Sequence, residues 1–590
     1  LCGVIGYTGK QPAADVLLDG LTRLEYRGYD SAGVATVFNG DLHLKKGVGK
    51  LEEVERDCCI SRLPGTTGIG HVRWATHGGV TVTNAHPHLD CLKFIAIAHN
   101  GIIYNYQQLR RKLSAKHEMV SETDTEVVAH LIEEYMLPGV PLEQAVARAV
   151  KEIQGTYALV VASTVEPQTI VATRKGSPLV VGIGKGENFV SSDFQAFLPH
   201  TRKVLFLDDE EMAVITPGKV NIHSAYGKKV FRGSVTLDIE LAVREKNGFD
   251  FFMLKEIFDQ PQAIISATKQ EKEALQKAAN LVNSSRSVVF TACGSSRYAS
   301  LIGRYMFSKI AHRFSDVIIS SEFGYFGDAV DEQTLVIALS QSGETADVIQ
   351  GIKEAQSRGA KVLSIVNTIG STLARMSDCT LYLNCGAEFA VAATKSFLSE
   401  LVVLYLLSFS VAGRLEEAET ELVKISALLD ENLRLNNDAV PKAANMLSKY
   451  DKFYYIARGI NFAVAGEASL KLKEVAYVHS EGMSAGELKH GTLGLVENGT
   501  PVIAIAPCDG TRDDILSNVS EVKARGAYII GVSDKPDKLF DMYIEIPRVN
   551  EYFYPLVSIV PLQLFAFHSA IARSLDPDRP RNLAKSVTVT

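Results

Sequence analysis

The sequence predicts a chain of mixed α/β and α+β class: a strand-rich first segment followed by two tandem doubly wound α/β domains. Three observations predict it. Strand–loop–helix blocks recur at a constant offset: Gly294 and Gly459 lie 165 residues apart, Thr334 and Thr500 lie 166 apart, and Lys361 and Ala527 again 166. Matching order at matching spacing is the mark of a duplicated domain. The runs after Thr334 (LVIAL) and Thr500 (PVIAIA) are continuously apolar, as parallel strands covered on both faces must be. Before residue 225, by contrast, short β-branched runs alternate with amphipathic helical patterns.

In chain order, strands are expected at 2–7, 33–38, 94–98 and 158–162, with helices at 105–113 and 125–135. Thr123 to Glu126 reads T-D-T-E, a capping box ahead of the second helix. The first domain is expected over 1–225. A connector follows at 226–250, where charge and glycine rise and periodicity fades. The two α/β copies occupy 251–430 and 431–580, and a tail runs over 581–590. The most apolar stretch is read as 397–413; it is interrupted by Ser399, Glu400 and two further serines and is short for a bilayer span, so a buried helix is expected.

Of the 590 residues, 61 are basic and 68 acidic, a net charge of −7, which argues against a general nucleic-acid binder. The eight cysteines form no C-x-x-C pair, so neither a zinc motif nor a disulfide framework is expected; free thiols in a reducing cytoplasm fit better. The first twenty residues lack the basic start and apolar run of a secretory signal. A cytoplasmic protein without metal or other cofactor is expected.

In the first copy, strand 335–339 runs into Ser340-Gln-Ser-Gly-Glu-Thr345, and the strand before it runs into Cys293-Gly-Ser-Ser296. Small hydroxyls and free N–H groups at helix starts suit an anion at the carboxyl ends of adjacent strands. One such loop alone reads equally well as N-capping serines; two at adjacent strand ends favour a phosphate. The equivalent loops of the second copy, Ala457-Arg-Gly459 and Ala506-Pro-Cys-Asp-Gly510, lack the hydroxyls, and this copy is not expected to hold phosphate in the same way.

Other residues carry chemistry. Glu467, Lys471 and Glu474 fall on one helix face. A solvated stripe is the bland reading, but the following Ser484-Ala-Gly-Glu-Leu-Lys-His490-Gly491 resembles a site, where a carboxylate and an imidazole move protons between carbon and oxygen. Lys585, in a tail of small residues, offers an amine for a carbonyl. A cysteine at a mature N-terminus combines thiol and α-amine, a nucleophile with its own base, and this singles out Cys2. Asn100 and Gly101 offer an oxyanion site, and Arg73 with Asp124 suits the carboxylate and ammonium of an amino acid.

These motifs together resemble the family of isomerizing glutamine–fructose-6-phosphate aminotransferases, over nearly the whole chain. They are C-G-V-I-G-Y at Cys2, L-E-Y-R-G-Y-D-S-A-G at Leu24, R-W-A-T-H-G at Arg73, N-A-H-P-H at Asn84, H-N-G-I-I at His99 and S-E-T-D-T-E at Ser121. Further on come A-C-G-S-S at Ala292, S-Q-S-G-E-T at Ser340, V-A-A-T-K at Val391, G-E-L-K-H-G at Gly486 and P-R-N-L-A-K-S-V-T-V at Pro580. The resemblance implies an αββα Ntn-hydrolase sandwich for the first domain and two sugar isomerase (SIS) domains for the copies. It implies that Cys2 forms the glutamyl thioester, that Arg73 and Asp124 hold glutamine with Thr76 and His77, and that Asn100 and Gly101 stabilise the oxyanion. Trp74, the single tryptophan, would gate an internal ammonia passage. Ser295, Ser296, Ser340, Gln341, Ser342 and Thr345 would hold fructose 6-phosphate. Lys585 would form an imine with the sugar, Glu474 would move a proton between C1 and C2, and Lys471 would support them. His490 would assist ring opening from a neighbouring subunit, which implies a homodimer.

The chain departs from the family pattern at Val72, at Thr492, at Thr590 and in the connector, and none of these changes removes a proposed catalytic group. Leu1 precedes Cys2, so the mechanism expects Leu1 to be removed. Two other functions share part of this inventory. A different Ntn amidotransferase would need a nucleotide- or pyrophosphate-binding loop, which is not seen. A sugar-phosphate sensor would need the serine loops but not Cys2, Glu474, His490 or Lys585.

Overall fold

The computed structural model describes residues 2–224, 227–237 and 245–588; Leu1, Thr590 and the middle of the 226–250 connector lie outside them. The chain forms two compact units, one of Leu1–Val243 with Ser586–Thr590 and one of Arg244–Lys585.

The first unit contains an eight-stranded and a seven-stranded sheet. Strand Gly3–Thr8 lies inside the larger sheet, antiparallel to Thr67–Arg73 on one side and Asn188–Ser191 on the other. The two-residue period of a strand sends alternate side chains to opposite faces. Val4 accordingly faces the second sheet, joining Ala35, Ile69, Ala98, Val160 and Ala172 in the core between sheets. Ile5 and Tyr7 face outward onto Leu17 and Leu21 of helix Ala13–Leu24. In the second sheet, Ile97, Leu159 and Val161 pack against Leu109, Val128 and Val146 of three helices. The result is the expected four-layer αββα sandwich.

Two local expectations are corrected. The strand placed at 94–98 runs over Ile95–Ile103, because the ladder to strand Gly155–Ser163 continues past His99. Asn100 and Gly101 therefore sit within the strand, opposite Ala158 and Tyr157, rather than after its end. The capping box forms only by half. The Glu126 N–H donates to Thr123 Oγ1 at 3.4 Å, but the Glu126 carboxylate reaches further back, accepting from the N–H groups of Val120 (2.9 Å) and Ser121 (2.7 Å).

The second unit contains two five-stranded parallel sheets with one strand order. The first runs Ser315–Ile319, Ser287–Ala292, Thr334–Ser340, Lys361–Val366, Cys379–Tyr382; the second runs His479–Ser484, Lys452–Ala457, Pro501–Ile505, Tyr528–Ser533, Met542–Glu545. The strand order reverses beside the first strand of each copy, and in open α/β sheets ligands bind at that reversal. The loops after Ala292 and Ser340 border it. One apolar core joins both copies, containing Phe290 and Ile337 from one and Tyr455 and Ile503 from the other.

Helix Lys395–Val411 is buried from Lys395 through Phe409, as expected. It is not the most apolar helix, however. Residues Glu551–Ala572 are long and apolar enough to cross a membrane by composition, yet 83% of their most apolar window is buried in the protein. Helix Tyr554–Ala572 belongs to the joint core of the two copies, which explains its lack of a polar face.

Candidate active site

Two groups of chemistry-bearing residues form, one in each unit. In the first unit, Cys2 Sγ accepts the Trp74 N–H at 3.2 Å. Burial pushes the Cys2 thiol up, while that N–H and the Arg73 guanidinium pull it back. Asn100 Nδ2 donates to the Cys2 carbonyl at 2.9 Å, so the side-chain amide is held against the Cys2 backbone. Its orientation is set by His71, whose Nε2 lies 3.0 Å from Asn100 Oδ1 and 3.0 Å from the His99 carbonyl. Burial holds His71 neutral, down to about 3. A neutral ring donating from Nε2 fixes which end of the Asn100 amide points at Cys2. Sequence reasoning missed His71; its only signal was a histidine inside a strand of small and apolar residues.

The other first-unit candidates surround this pair. Arg73 is buried, and its guanidinium donates to the carbonyls of His77 (2.5 Å), Gly78 (3.3 Å) and Gly79 (3.2 Å), shaping the loop that carries Thr76 and His77. Thr76 is exposed, and His77 meets Tyr106 edge to face at 5.6 Å. Buried Asp124 accepts the Ile103 N–H at 2.7 Å. Trp74 is half-buried, edge-on to Tyr29 at 5.8 Å. Gly101 has φ +136°, and a Cβ there would lie 2.0 Å from the Thr156 carbonyl oxygen, so no other residue fits.

In the second unit, Lys471 connects the two copies. From the fully buried face of helix Asn461–Ala476, its Nζ donates to Glu474 at 2.5 Å and to Ser295 Oγ at 3.0 Å, with Glu467 at 3.4 Å. Ser295 opens helix Gly294–Lys309 of the first copy. The i, i+4, i+7 stripe is therefore no solvated surface: Lys471 and Glu467 are fully buried, and Glu474 retains partial exposure. Burial pushes Glu467 up to about 7, with Lys471 opposing it.

Ser296 Oγ donates to Glu400 at 2.7 Å. In the Ser340–Thr345 turn, the Ser340 and Thr345 hydroxyls pair at 2.9 Å, the Glu344 N–H donates to Ser342 Oγ at 3.2 Å, and the Gln341 carbonyl accepts the Asn367 N–H at 3.0 Å. Thr345 stands at the start of helix Ala346–Ser357, where its carbonyl accepts the Ile349 N–H at 3.0 Å. The turn of the second copy that matches Ser340–Thr345, at 506–510, is met by its own carboxylates. Asp509 accepts the Thr511 N–H at 2.8 Å, and Asp534 accepts the Cys508 N–H at 2.7 Å. Two of the N–H groups an anion would use at this turn are thus already engaged.

Lys585 pairs with buried Glu388, which also accepts from Ser396 Oγ (2.5 Å) and from the N–H groups of Thr394 and Ser396 (3.0 Å each). Burial acts to raise Glu388, but Lys585 and Ser396 outweigh it and bring it down to about 2. Its neighbours behave oppositely: burial pushes Glu256 and Glu400 up to about 8, and the Glu388 charge adds to both. Within this group Glu388 is the carboxylate held low, and Glu256 and Glu400 are the two pushed up. Sequence reasoning missed Glu388 and Glu400. The signal for Glu400 was available: a carboxylate in the middle of an apolar helix needs a partner. His490 ends the turn Ala485–His490 and is exposed, and no hydrogen bond among the described residues joins it to the Lys471 group.

Comparison with known proteins follows this division. Residues 79–199 match the glutamine amidotransferase domain, and residues 281–409 and 446–573 each match the SIS domain. A Pyrococcus horikoshii protein called glutamine–fructose-6-phosphate aminotransferase (isomerizing) is 45% identical over 604 residues, covering all of both chains. The Methanothermobacter thermautotrophicus protein of the same name is 45% identical over 596 residues, again covering both chains completely. Among solved structures, the C-terminal domain of glucosamine-fructose-6-phosphate aminotransferase from Francisella tularensis is 31% identical, with a TM-score of 0.54 over 57% of this chain and all of that one.

Proposed function

The chain belongs to the isomerizing glutamine–fructose-6-phosphate aminotransferase family, and on that premise we propose how its residues divide the reaction. The enzyme moves the amide nitrogen of glutamine to fructose 6-phosphate and isomerises the ketose to an aldose, giving glucosamine 6-phosphate and glutamate. The Cys2 thiol attacks the amide carbonyl, ammonia leaves, and water releases glutamate from the thioester. Asn100 Nδ2 and Gly101 stabilise the oxyanion. Arg73 and Asp124, with Thr76 and His77, hold the amino-acid end of glutamine, and Trp74 gates the exit of ammonia.

In the second unit, the Ser340–Thr345 turn holds the sugar phosphate, together with Ser295 and Ser296. Lys585 condenses with the C2 carbonyl, and Glu474 transfers the proton between C1 and C2. His490 completes the site of a neighbouring copy, which makes a homodimer the working form. The free state of all eight cysteines supports a cytoplasmic location. One observation carries the synthase half of this reading. The Lys471 ammonium bridges Glu474 of the second copy to Ser295 of the first, so a proton-transfer carboxylate stands beside the anion loops.

The test is Glu474→Gln. Glutamate release is expected within about three-fold of the parent, while glucosamine 6-phosphate formation falls by about 10²–10⁴. Both are read from one reaction with glutamine and fructose 6-phosphate. Loss of both activities together would overturn the division of labour.

A second expectation concerns the phosphate turn. Gly343 has φ +65°, and a Cβ there would lie 2.1 Å from Ser371 Oγ. Gly343→Ala must bear the left-handed cost of about 1–2 kcal/mol or distort the turn. A roughly ten-fold rise in KM for fructose 6-phosphate is expected, with KM for glutamine unchanged.

A further inference from the structure

In the first unit, four side chains that sequence reasoning left unconnected converge on one point. Cys91 follows strand His88–Leu89, His117 follows helix Tyr106–Leu113, and His130 and Glu133 lie at i, i+3 on helix Glu126–Tyr135. Their donor atoms all lie within 4.8 Å of one another. Cys91 Sγ is 3.7 Å from His117 Nδ1 and 3.5 Å from His130 Nδ1, while Glu133 Oε2 is 2.9 Å and 3.3 Å from the same two nitrogens.

We propose that Cys91 Sγ, His117 Nδ1, His130 Nδ1 and Glu133 Oε2 bind a structural Zn²⁺ ion. Tetrahedral zinc with ordinary Zn–S, Zn–N and Zn–O lengths has edges of about 3.5 Å between sulfur and nitrogen and about 3.3 Å between nitrogen and oxygen. Both sulfur–nitrogen distances and the His130–Glu133 distance match those edges within about 0.2 Å, and His117 Nδ1–Glu133 Oε2, at 2.9 Å, is shorter and would open on binding the ion. One thiolate, two imidazoles and one carboxylate form a donor set that suits zinc.

The outward nitrogens support the same reading. A zinc-bound imidazole usually donates its other N–H to a carboxylate, which fixes the ring. His117 Nε2 lies 3.0 Å from Glu134 Oε1, and His130 Nε2 lies 3.8 Å from Glu126 Oε1. His130 Nε2 is buried and has no hydrogen-bond partner among the described residues. Glu126 is held in place by the N–H groups of Val120 and Ser121. A purely hydrogen-bonded cluster would require the His117 ring to present an N–H both to Glu133 and to Glu134, and would leave His130 Nε2 buried and unpaired. With zinc, each ring carries one proton outward and one lone pair inward.

On binding, the Cys91 thiol gives its proton to solvent and its sulfur bonds to the metal, with no change of oxidation state. Four protein donors fill the tetrahedron, so the ion is structural and no position remains for substrate. It would clamp a loop, a helix end and the helix that follows Asp124.

The experiment is reconstitution of chelator-treated full-length enzyme with Zn²⁺ and, separately, Co²⁺. One metal per chain is expected by elemental mass spectrometry. X-ray absorption should give one sulfur at about 2.3 Å and three lighter ligands at about 2.0–2.1 Å. The Co²⁺ form should show a thiolate charge-transfer band. Cys91→Ser should lose that band and bind Zn²⁺ at least about 100-fold more weakly while still releasing glutamate from glutamine; Glu134→Gln should weaken binding about ten-fold. Failure of the parent protein to take up micromolar Zn²⁺, a Co²⁺ spectrum without a thiolate band, or unchanged Zn²⁺ affinity in Cys91→Ser would each overturn the proposal.

Discussion

Replacing Cys2 with alanine is expected to reduce glutamate release from glutamine by at least about ten-thousand-fold, with binding of fructose 6-phosphate unchanged. The size of the effect follows from what surrounds the sulfur. The Trp74 N–H holds it, the Asn100 amide is turned toward its backbone, and His71 fixes that amide. All of this machinery stabilises charge that appears only once a nucleophile has attacked, so without the nucleophile it has nothing to stabilise. Cys2→Ser keeps shape and size but offers a far less acidic group, and should lose nearly as much activity. The SIS domains lie in a separate compact unit, so sugar-phosphate binding should survive. Glutamate release is read by coupled assay and sugar binding by calorimetry. Glutamate release from Cys2→Ala within ten-fold of the parent would mean that the nucleophile lies elsewhere.

The duplicated half of the chain was legible because its signals are local. Continuous apolar strands ending in small-residue turns can be read from one window of sequence, and the offset between windows reveals the repeat. The sandwich was not legible in the same way. Strands 95–103 and 155–163 are covered on both faces, so polarity does not alternate along them. What alternates is size: Ala96, Ala98, Ala158 and Ala162 face the other sheet, while Ile95, Ile97, Tyr157 and Leu159 face helices. The missed site residues share a different cause. Glu388, Glu400 and His71 matter through partners far away in sequence, such as Lys585, 197 residues from Glu388. The Cys91 group shows the same limit, because its members come from three segments and only His130 and Glu133 have a helical spacing to read. Conversely, part of the L-E-Y-R-G-Y-D motif turns out to be scaffolding. Glu25 accepts the Leu51 N–H, Arg27 pairs with Asp193, and Asp30 holds the Ala75 N–H beside the Arg73 loop.

Lys585→Arg should abolish amino-sugar formation, by about 10⁴-fold or more, while leaving glutamate release within about three-fold. The choice of arginine follows from the electrostatics around Glu388. That carboxylate is buried and held down to about 2 by Lys585 and Ser396, while burial, with the Glu388 charge adding to it, pushes Glu256 and Glu400 up to about 8. Lys585→Ala would leave a buried anion without its cation, at a cost of about 3–5 kcal/mol, and would confuse a folding defect with a chemical one. Arginine keeps a permanent cation opposite Glu388 but has no amine able to condense with a carbonyl at neutral pH. Only the nucleophile is lost. In the parent, Lys585 must give up its proton before its nitrogen attacks C2 and water leaves, and Ser396 and the Thr394 N–H remain to hold Glu388 when it does. Borohydride added with fructose 6-phosphate should reduce the imine to a secondary amine, fixing one sugar phosphate per chain as a mass increase that is absent from Lys585→Arg. Turnover of Lys585→Arg within ten-fold of the parent, or sugar still trapped on that variant, would remove Lys585 from the mechanism.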